Sequence, residues 1–191
     1  MSTPQAILIR GVNWLGDAIM ALPAMDRLRE AHPAARLTLL THEKLAGLWE
    51  GTSHFDEVIT FAKEESPFAV GQRLRGRGFE VALVLPNSQR SALECWHARI
   101  PRRIGYNRDN RAVLLTDPVA PPRNPDRSWK LTPAVDYYWN LASHLLNQPP
   151  VDWSTHTPTN CVSVPLALPP DARMQLPVTS DDEGACPGTR H

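Results

Sequence analysis

The chain has 191 residues, 42% hydrophobic and 21% charged, a composition typical of a globular domain rather than of a collagenous, disordered or membrane-spanning chain. Its 20 lysines and arginines balance its 20 aspartates and glutamates, so the net charge indicates neither nucleic acid nor an anionic membrane as partner. The apolar run at residues 6–9 is too short for a signal peptide or spanning helix, and we expect a cytoplasmic protein. The three cysteines, odd in number and widely spaced, predict reduced thiols.

Predicted strands alternate with predicted helices in the first half of the chain. The apolar run at residues 6–10 ends at Gly11 and predicts a strand, and helical spacing predicts a helix over residues 17–31, with Pro23 inside it. Three more strands, with helix-like segments between them, are predicted at residues 37–41, 58–61 and 81–85. This alternation favours a Rossmann-like α/β fold, a parallel sheet with helices on both faces.

The second half of the chain is predicted to be less regular. The pattern indicates a helix at residues 88–98, short strands at 103–105 and 113–116, and a helix at 134–146. From residue 149 onward, prolines recur among Ser, Thr and Asp without lasting periodicity. We therefore predict one domain over residues 1–148 and a linker-like, disordered or truncated tail over residues 149–191.

The loop after the first strand is the segment that carries most information about function, because ligands of open α/β sheets bind at the carboxyl ends of the strands. Gly11 and Gly16 have the spacing of a P-loop, but Asp17 stands where that motif needs lysine. Asn13 occupies the second glycine position of the dinucleotide fingerprint, so that motif fails as well. The loop delivers the Asp17 carboxylate beside Asn13 and Trp14, which suits a general base. A helix cap at Asp17 is the alternative interpretation.

Asn87 and Ser88 follow the fourth predicted strand directly, so we expect them at the same edge of the sheet. They suit hydrogen bonding to a polar ligand, whereas a helix N-cap is the alternative, favoured for Ser88. A basic stretch surrounds them, in which three acidic residues accompany nine arginines: Arg73, Arg75, Arg77, Arg90, Arg99, Arg102, Arg103, Arg108 and Arg111. Arginine recognises carboxylates and phosphates, so this stretch suits an anionic ligand, although about half of these arginines are expected to do nothing specific.

The aromatic and histidine residues give weaker signals. Trp96 with His97, and the aromatic run at residues 137–139, offer sugar-stacking faces, but aromatic residues at helical spacing pack in a core more often, and we assign them to packing. The histidines show no metal-ligand spacing, and no D-x-D motif occurs. We therefore predict no metal and no cofactor.

Several short segments resemble the bacterial lipopolysaccharide heptosyltransferases, glycosyltransferase family 9. The opening resembles theirs at residues 7–10 (ILIR), 13–17 (NWLGD) and 22–24 (LPA). Further landmarks in the same order are residues 85–88 (LPNS), 91–92 (SA), 103–106 (RIGY) and 135–138 (VDYY). The resemblance covers about residues 6–146.

The resemblance implies the acceptor-binding N-terminal half of a two-domain GT-B glycosyltransferase whose C-terminal donor domain is absent from this chain. It implies metal-free transfer of heptose from ADP-heptose to the inner core of lipopolysaccharide, with inversion at the sugar carbon. An inverting transfer needs a base within hydrogen-bond reach of the acceptor hydroxyl, a role that falls to Asp17, and stabilisation of the leaving diphosphate. Because the family's donor-side groups lie mostly in the second domain, this chain is expected to be inactive alone.

The acceptor, the inner core on lipid A, is anionic, and we predict that its contacts come from residues near the sheet edge and from the basic stretch. These are Asn13, Trp14, Gly16, Asn87, Ser88, Arg90, Arg103 and Tyr106. We do not expect nucleic acid as a partner. We do expect peripheral association with the inner face of the cytoplasmic membrane. Two alternatives stay open: a non-catalytic glycolipid- or protein-binding module, and a GT-B transferase with another acceptor.

Overall fold

The computed structural model describes residues 3–126 and 128–149, which form a six-stranded parallel sheet with helices on both faces. The strands are β1 (Ala6–Arg10), β2 (Arg36–His42), β3 (Glu57–Phe61), β4 (Val81–Val84), β5 (Arg102–Tyr106) and β6 (Asp117–Val119), in the spatial order β3-β2-β1-β4-β5-β6. The helices are α1 (Leu15–Ala31), α2 (Pro67–Leu74), α3 (Gln89–His97) and α4 (Ala134–Leu145). The predicted Rossmann-like α/β fold is therefore confirmed.

The two central strands are buried on both faces because a helix layer covers each face of the sheet. Ile7 and Ile9 of β1 point into a core formed with α1 and α4, and Leu8 between them points into a second core formed with α2 and α3. Alternate side chains of one strand thus feed both cores, which explains the continuous apolar run at residues 6–9. Pro23 lies inside α1, which continues to Ala31.

The strand order reverses direction beside β1, since β2 lies on one side of it and β4 on the other. The backbone ladder extends past both strand ends: Gly11 N–H donates to Leu40 O at 2.9 Å, and Leu85 N–H donates to Arg10 O at 3.1 Å. The loops after β1 and β4 therefore leave the sheet side by side. In open α/β sheets, a crevice at such a switch point is where ligands bind.

Most predicted elements are confirmed to within two residues, but the strand predicted at residues 113–116 is wrong. Residues Ala112–Leu114 form a short 3-10 helix instead, and β6 begins at Asp117. Leu114 N–H donates to Arg111 O at 2.9 Å and Leu115 N–H donates to Ala112 O at 3.1 Å. These amides therefore form local turns instead of pairing with a neighbouring strand. The segment between β2 and β3 is also a 3-10 helix (Glu43–Trp49).

Two other expectations meet the structure only in part. Cys95 is a free, fully buried thiol, as predicted, and burial raises its pKa to about 12. The other two cysteines and the predicted tail, from residue 150 onward, lie outside the described residues. Within the described ranges, no helix is long and apolar enough to cross a membrane.

Candidate active site

The crevice at the carboxyl edge of the sheet is formed by the loop between β1 and α1 and the loop between β4 and α3. Asn13, Trp14 and Gly16 lie exposed on the first loop and the start of α1. Asn87 is half-buried on the second loop and Ser88 is exposed beside it. The structure thus places five of the predicted site residues at one edge, around the first turn of α1.

Asp17 lies in the first turn of α1 and is half-buried. The N-cap of this helix is Trp14, so Asp17 is not the cap, but its carboxylate lies in the first turn, where it complements the helix dipole as the alternative interpretation also expects. The Tyr138 hydroxyl of α4 lies close to the Asp17 carboxylate. Burial, reinforced by the charge of Asp17, raises the pKa of Tyr138, so this phenol stays protonated. A half-buried carboxylate with a neutral phenol beside it is therefore presented to the crevice.

A buried ion pair supports the first loop from below. Arg10, fully buried at the end of β1, donates through Nε to Glu94 Oε2 of α3 at 2.7 Å. Its Nη1 donates to Gly11 O at 2.6 Å and to Asn13 Oδ1 at 2.9 Å. Because Glu94 is itself fully buried, the pair ties the β1 loop, the Asn13 amide and α3 into one unit. Sequence reasoning missed this pair, although a charged residue that ends a buried strand requires a buried partner.

Stacked tyrosines support the second loop. The Tyr137 hydroxyl donates to Asn87 Oδ1 at 3.0 Å, and its ring stacks on Tyr106 with centroids 3.9 Å apart. Tyr106 is 1% exposed, and its hydroxyl donates to Tyr137 O at 2.8 Å. Tyr106 therefore packs beneath the crevice and its hydroxyl is already occupied. Tyr106 therefore has no exposed group with which to make the predicted contact with the acceptor.

Ser88 is the N-cap of α3, and its side chain accepts a hydrogen bond from Ser91 N–H. The interpretation favoured for this residue, a helix cap, is therefore confirmed. The aromatic assignments were mixed. Tyr138 is buried, as predicted, but Trp96 is 46% exposed, so the assignment of its whole ring to packing is wrong.

The two predicted arginines lie in different places. Arg90 donates to Glu94 Oε1 at 3.0 Å and to Lys63 O at 3.2 Å, so its guanidinium ties α3 to the segment after β3. Arg103 lies near the start of β5, at the amino edge of the sheet, where it donates to Leu114 O at 2.8 Å. The structure does not bring Arg103 to the crevice.

Arg111 is the second fully buried arginine at the carboxyl edge, and the sequence predicts it only as part of the basic stretch. Its Nε donates to Tyr106 O at 2.9 Å, and Nη1 donates to Pro86 O and, at 3.3 Å, to Ser88 O. Burial lowers its pKa to about 10, and no described carboxylate pairs with it. Carbonyl oxygens at the end of β5 and in the loop after β4 thus hold this guanidinium.

The chemistry available at the crevice is proton transfer and hydrogen bonding. Asp17 offers one carboxylate, and the amides of Asn13 and Asn87 flank it on separate loops. No group of three or more His, Cys, Asp or Glu side chains in the described part of the chain is placed to hold a metal ion. The arrangement can accept a proton from a hydroxyl held between the two loops.

Comparisons with known proteins agree with this geometry. The sequence model of glycosyltransferase family 9 (heptosyltransferase) matches residues 68–181. The lipooligosaccharide heptosyltransferase 2 of Haemophilus ducreyi is 29% identical over 58% of this chain and 33% of its own length. The lipopolysaccharide heptosyltransferase 2 of Escherichia coli K12 is 30% identical over 58% of this chain and 34% of its own length.

A solved structure, that of E. coli ADP-heptose lps heptosyltransferase II, superposes with a TM-score of 0.60 at 29% identity. The match covers 72% of this chain and 40% of that one. The chain therefore spans about a third of the length of the curated relatives it matches. Because the family model covers more than half of its residues, the chain belongs to glycosyltransferase family 9, the heptosyltransferase family.

Proposed function

We propose that this chain supplies the acceptor-binding side and the general base of a heptosyltransferase. The reaction is transfer of heptose from ADP-heptose to a sugar hydroxyl of the lipopolysaccharide inner core, with inversion at the sugar carbon. The observation that carries the proposal is the half-buried Asp17 carboxylate, which lies beside Tyr138 in the first turn of α1 at the carboxyl edge of the sheet, in a member of this family. The names of the relatives supply the donor and the class of acceptor.

Asp17 takes the proton of the acceptor hydroxyl as the hydroxyl oxygen attacks the anomeric carbon. The new C–O bond forms on the face of the anomeric carbon opposite the diphosphate. The bond from that carbon to the diphosphate breaks, and ADP leaves with the electron pair, so the configuration inverts. Tyr138 positions the carboxylate, and the Arg10 guanidinium orients the Asn13 amide beside it. No metal or cofactor enters this scheme.

The leaving diphosphate needs cationic or N–H donors. Three arginines at the carboxyl edge, Arg10, Arg90 and Arg111, are engaged by protein carboxylates or carbonyls, and a fourth, Arg108 after β5, packs over the Trp129 ring at 4.3 Å. We therefore propose that donor contacts lie outside the described residues, and that this chain alone binds acceptor without turning over ADP-heptose. The same observation keeps a second candidate, a non-catalytic glycolipid-binding module, as the alternative.

The acceptor is an anionic glycolipid, and we propose that Asn13, Asn87 and the exposed Trp14 contact its sugars at the crevice. Trp14 is 76% exposed, which leaves its ring free to stack on a sugar face. An acceptor anchored in lipid also implies that the protein works in the cytoplasm at the inner face of the membrane.

Calorimetric titration of the purified chain tests this function. We expect a soluble inner-core oligosaccharide to bind and ADP to bind weakly or not at all. Asp17→Ala should weaken acceptor binding, whereas Lys44→Ala, which removes an exposed charge after β2, should not. Tight ADP binding without acceptor binding would contradict the proposal and indicate a nucleotide site. Acceptor binding that Asp17→Ala leaves unchanged would remove Asp17 from the site.

A further inference from the structure

The two asparagine side chains at the crevice can each present either a donor or an acceptor to a ligand, because an amide carries N–H groups at one end and a carbonyl oxygen at the other. Asn13 lies exposed on the loop after β1, and Asn87 lies half-buried on the loop after β4. The carboxylate of Asp17 lies near them, in the first turn of α1. Which end of each amide faces the crevice decides what kind of ligand atom the crevice can bind.

A buried arginine fixes the orientation of the Asn13 amide. Asn13 Oδ1 accepts a hydrogen bond from Arg10 Nη1 at 2.9 Å, and a guanidinium can only donate, so the oxygen must be the end that faces Arg10. The buried Arg10 side chain is itself held in place, because it also donates to Glu94 Oε2 at 2.7 Å and to Gly11 O at 2.6 Å. The Asn13 Nδ2 group makes no hydrogen bond within the described ranges. The N–H end of Asn13 is therefore the end that is left for a ligand.

A tyrosine hydroxyl fixes the orientation of the Asn87 amide. The Tyr137 hydroxyl donates to Asn87 Oδ1 at 3.0 Å. Burial raises the pKa of Tyr137, so this hydroxyl keeps its proton at neutral pH, and the Arg108 guanidinium, which can only donate, lies close to the same hydroxyl. The proton therefore points at Asn87, and stacking on Tyr106, with centroids 3.9 Å apart, holds the Tyr137 ring in place. The Asn87 Nδ2 group likewise has no partner among the residues that the structure describes.

We propose that Asn13 and Asn87 determine specificity as two fixed hydrogen-bond donors beside the Asp17 carboxylate, an inference that rests on the proposed function. The ligand must then present one hydroxyl, whose proton Asp17 accepts, flanked by oxygen atoms whose lone pairs accept from the two amides. Hydroxyl, ring and carboxylate oxygens of a sugar meet this requirement. A freely rotating amide would accept a ligand of either polarity, so the contacts from Arg10 and Tyr137 make the crevice selective.

Substitutions that keep the shape of the side chain test this polarity. Asn13→Asp and Asn87→Asp keep an oxygen toward Arg10 and toward Tyr137, and they replace only the free N–H end by a second carboxylate oxygen. In calorimetric titration of the full 191-residue chain, each variant should bind a soluble inner-core oligosaccharide about tenfold or more weakly, because a donor is lost and an acceptor faces the ligand oxygen instead. The thermal midpoint should change little, since both supporting contacts remain.

Matched variants separate the loss of a donor from the added negative charge. Gln89→Glu adds the same charge at an exposed position near Asn87 and should change the affinity for the oligosaccharide much less. Tyr137→Phe, which releases the Asn87 amide, should weaken binding by less than Asn87→Asp does. Equal losses for Gln89→Glu and Asn87→Asp, or full affinity in either asparagine variant, would overturn the inference, whereas the proposed function would survive if Asp17→Ala still weakened binding. If the parent chain does not bind the oligosaccharide, the proposed function fails and this inference fails with it.

Discussion

The two edges of the parallel sheet use arginine in opposite ways. At the carboxyl edge, Arg10 and Arg111 are fully buried and, like Arg90, donate to groups of the protein. At the amino edge, Arg75 and Arg99 reach solvent without a partner among the described residues. One residue type therefore builds a rigid support beneath the crevice and a free charged surface away from it.

The difference between the edges follows from what each arginine can reach. Where strands β1 and β4 end, loop carbonyls and the buried Glu94 carboxylate lie within hydrogen-bond distance, so a guanidinium is stabilised there inside the protein. Around residues 75 and 99 no carboxylate is near, and water solvates the charge instead. A basic stretch of sequence therefore does not show whether its arginines bind a ligand or support the fold until the groups they pair with are known.

The largest expected effect comes from breaking the buried pair beneath the crevice. Glu94→Ala should lower the free energy of unfolding by about 3–5 kcal/mol, because Arg10 would remain buried without its counter-charge. Urea unfolding measures this. Replacing both partners, as Arg10→Met with Glu94→Leu, should cost less than the single change, since no unpaired charge is left. A single variant that loses under about 1 kcal/mol would mean that water reaches Arg10 and that the support is weak.

The next largest effects are expected from alanine substitutions at two helical glycines, one in a tight helix contact and one at the crevice. A Cβ at Gly71 would lie 2.8 Å from both Glu94 O and the Cβ of His97, so Gly71→Ala should push α2 from α3 and destabilise by about 1–3 kcal/mol. Gly16, in α1 at the crevice, has nothing within 4 Å of its added Cβ. Gly16→Ala should therefore be neutral or stabilising by up to about 1 kcal/mol. Thermal unfolding of the two variants compares them directly, and shifts of the same sign would contradict the packing argument.

The phenol beside Asp17 should make a smaller contribution. Tyr138→Phe should cost about 1 kcal/mol, because it removes a buried hydroxyl that lies close to a half-buried carboxylate. Tyr137→Phe deletes a bond to the neutral Asn87 amide and should cost less. Denaturant midpoints at neutral pH order the two, and a larger loss for Tyr137→Phe would show that Asp17 does not depend on its phenol.

The smallest effect concerns an exposed ion pair of the amino edge. The hydrogen bond from Arg29 lowers the pKa of Asp56, whose Oδ2 also accepts from Leu37 N–H at 2.7 Å. Asp56→Asn should cost under about 1 kcal/mol at neutral pH, since the carboxylate is half-exposed. A lowered folded pKa stabilises the protein above the ordinary value of about 4 and loses that contribution as the pH falls below it. The difference between variant and parent should therefore vanish in acid. If the difference in free energy of unfolding between variant and parent grew in acid, the pKa of Asp56 would not be lowered in the folded protein.

Much of the fold was predictable because the buried strands appear in the sequence as short apolar runs. Residues 6–10 and 81–84 are strands with both faces covered, and such short continuous apolar runs are typical of buried parallel strands. The run at residues 113–116 has the same local composition but forms a 3-10 turn, with Val113 84% exposed. Its amides pair with Arg111 and Ala112 nearby, so local turns outcompeted the sheet.

The candidate site was predictable in outline and not in its supports. Asp17, Asn13 and Asn87 meet at the carboxyl edge because parallel strands deliver their following loops to one side. Arg103 and Tyr106, which were predicted from the basic stretch and the family resemblance, do not line the crevice, because Arg103 lies at the start of β5 and Tyr106 is buried. The role of each crevice residue toward the acceptor stays a prediction.

By itself, the sequence determined the α/β class, the family and the loop that carries Asp17, because periodicity and short motifs are local properties of the chain. Only the tertiary structure decided which arginines are free, since that depends on partners distant in sequence: Glu94 lies 84 residues from Arg10. The same packing left Arg75 and Arg99 without partners among the residues that the structure describes. Solvation and pairing of a charge are set by the three-dimensional neighbourhood, which no local pattern encodes.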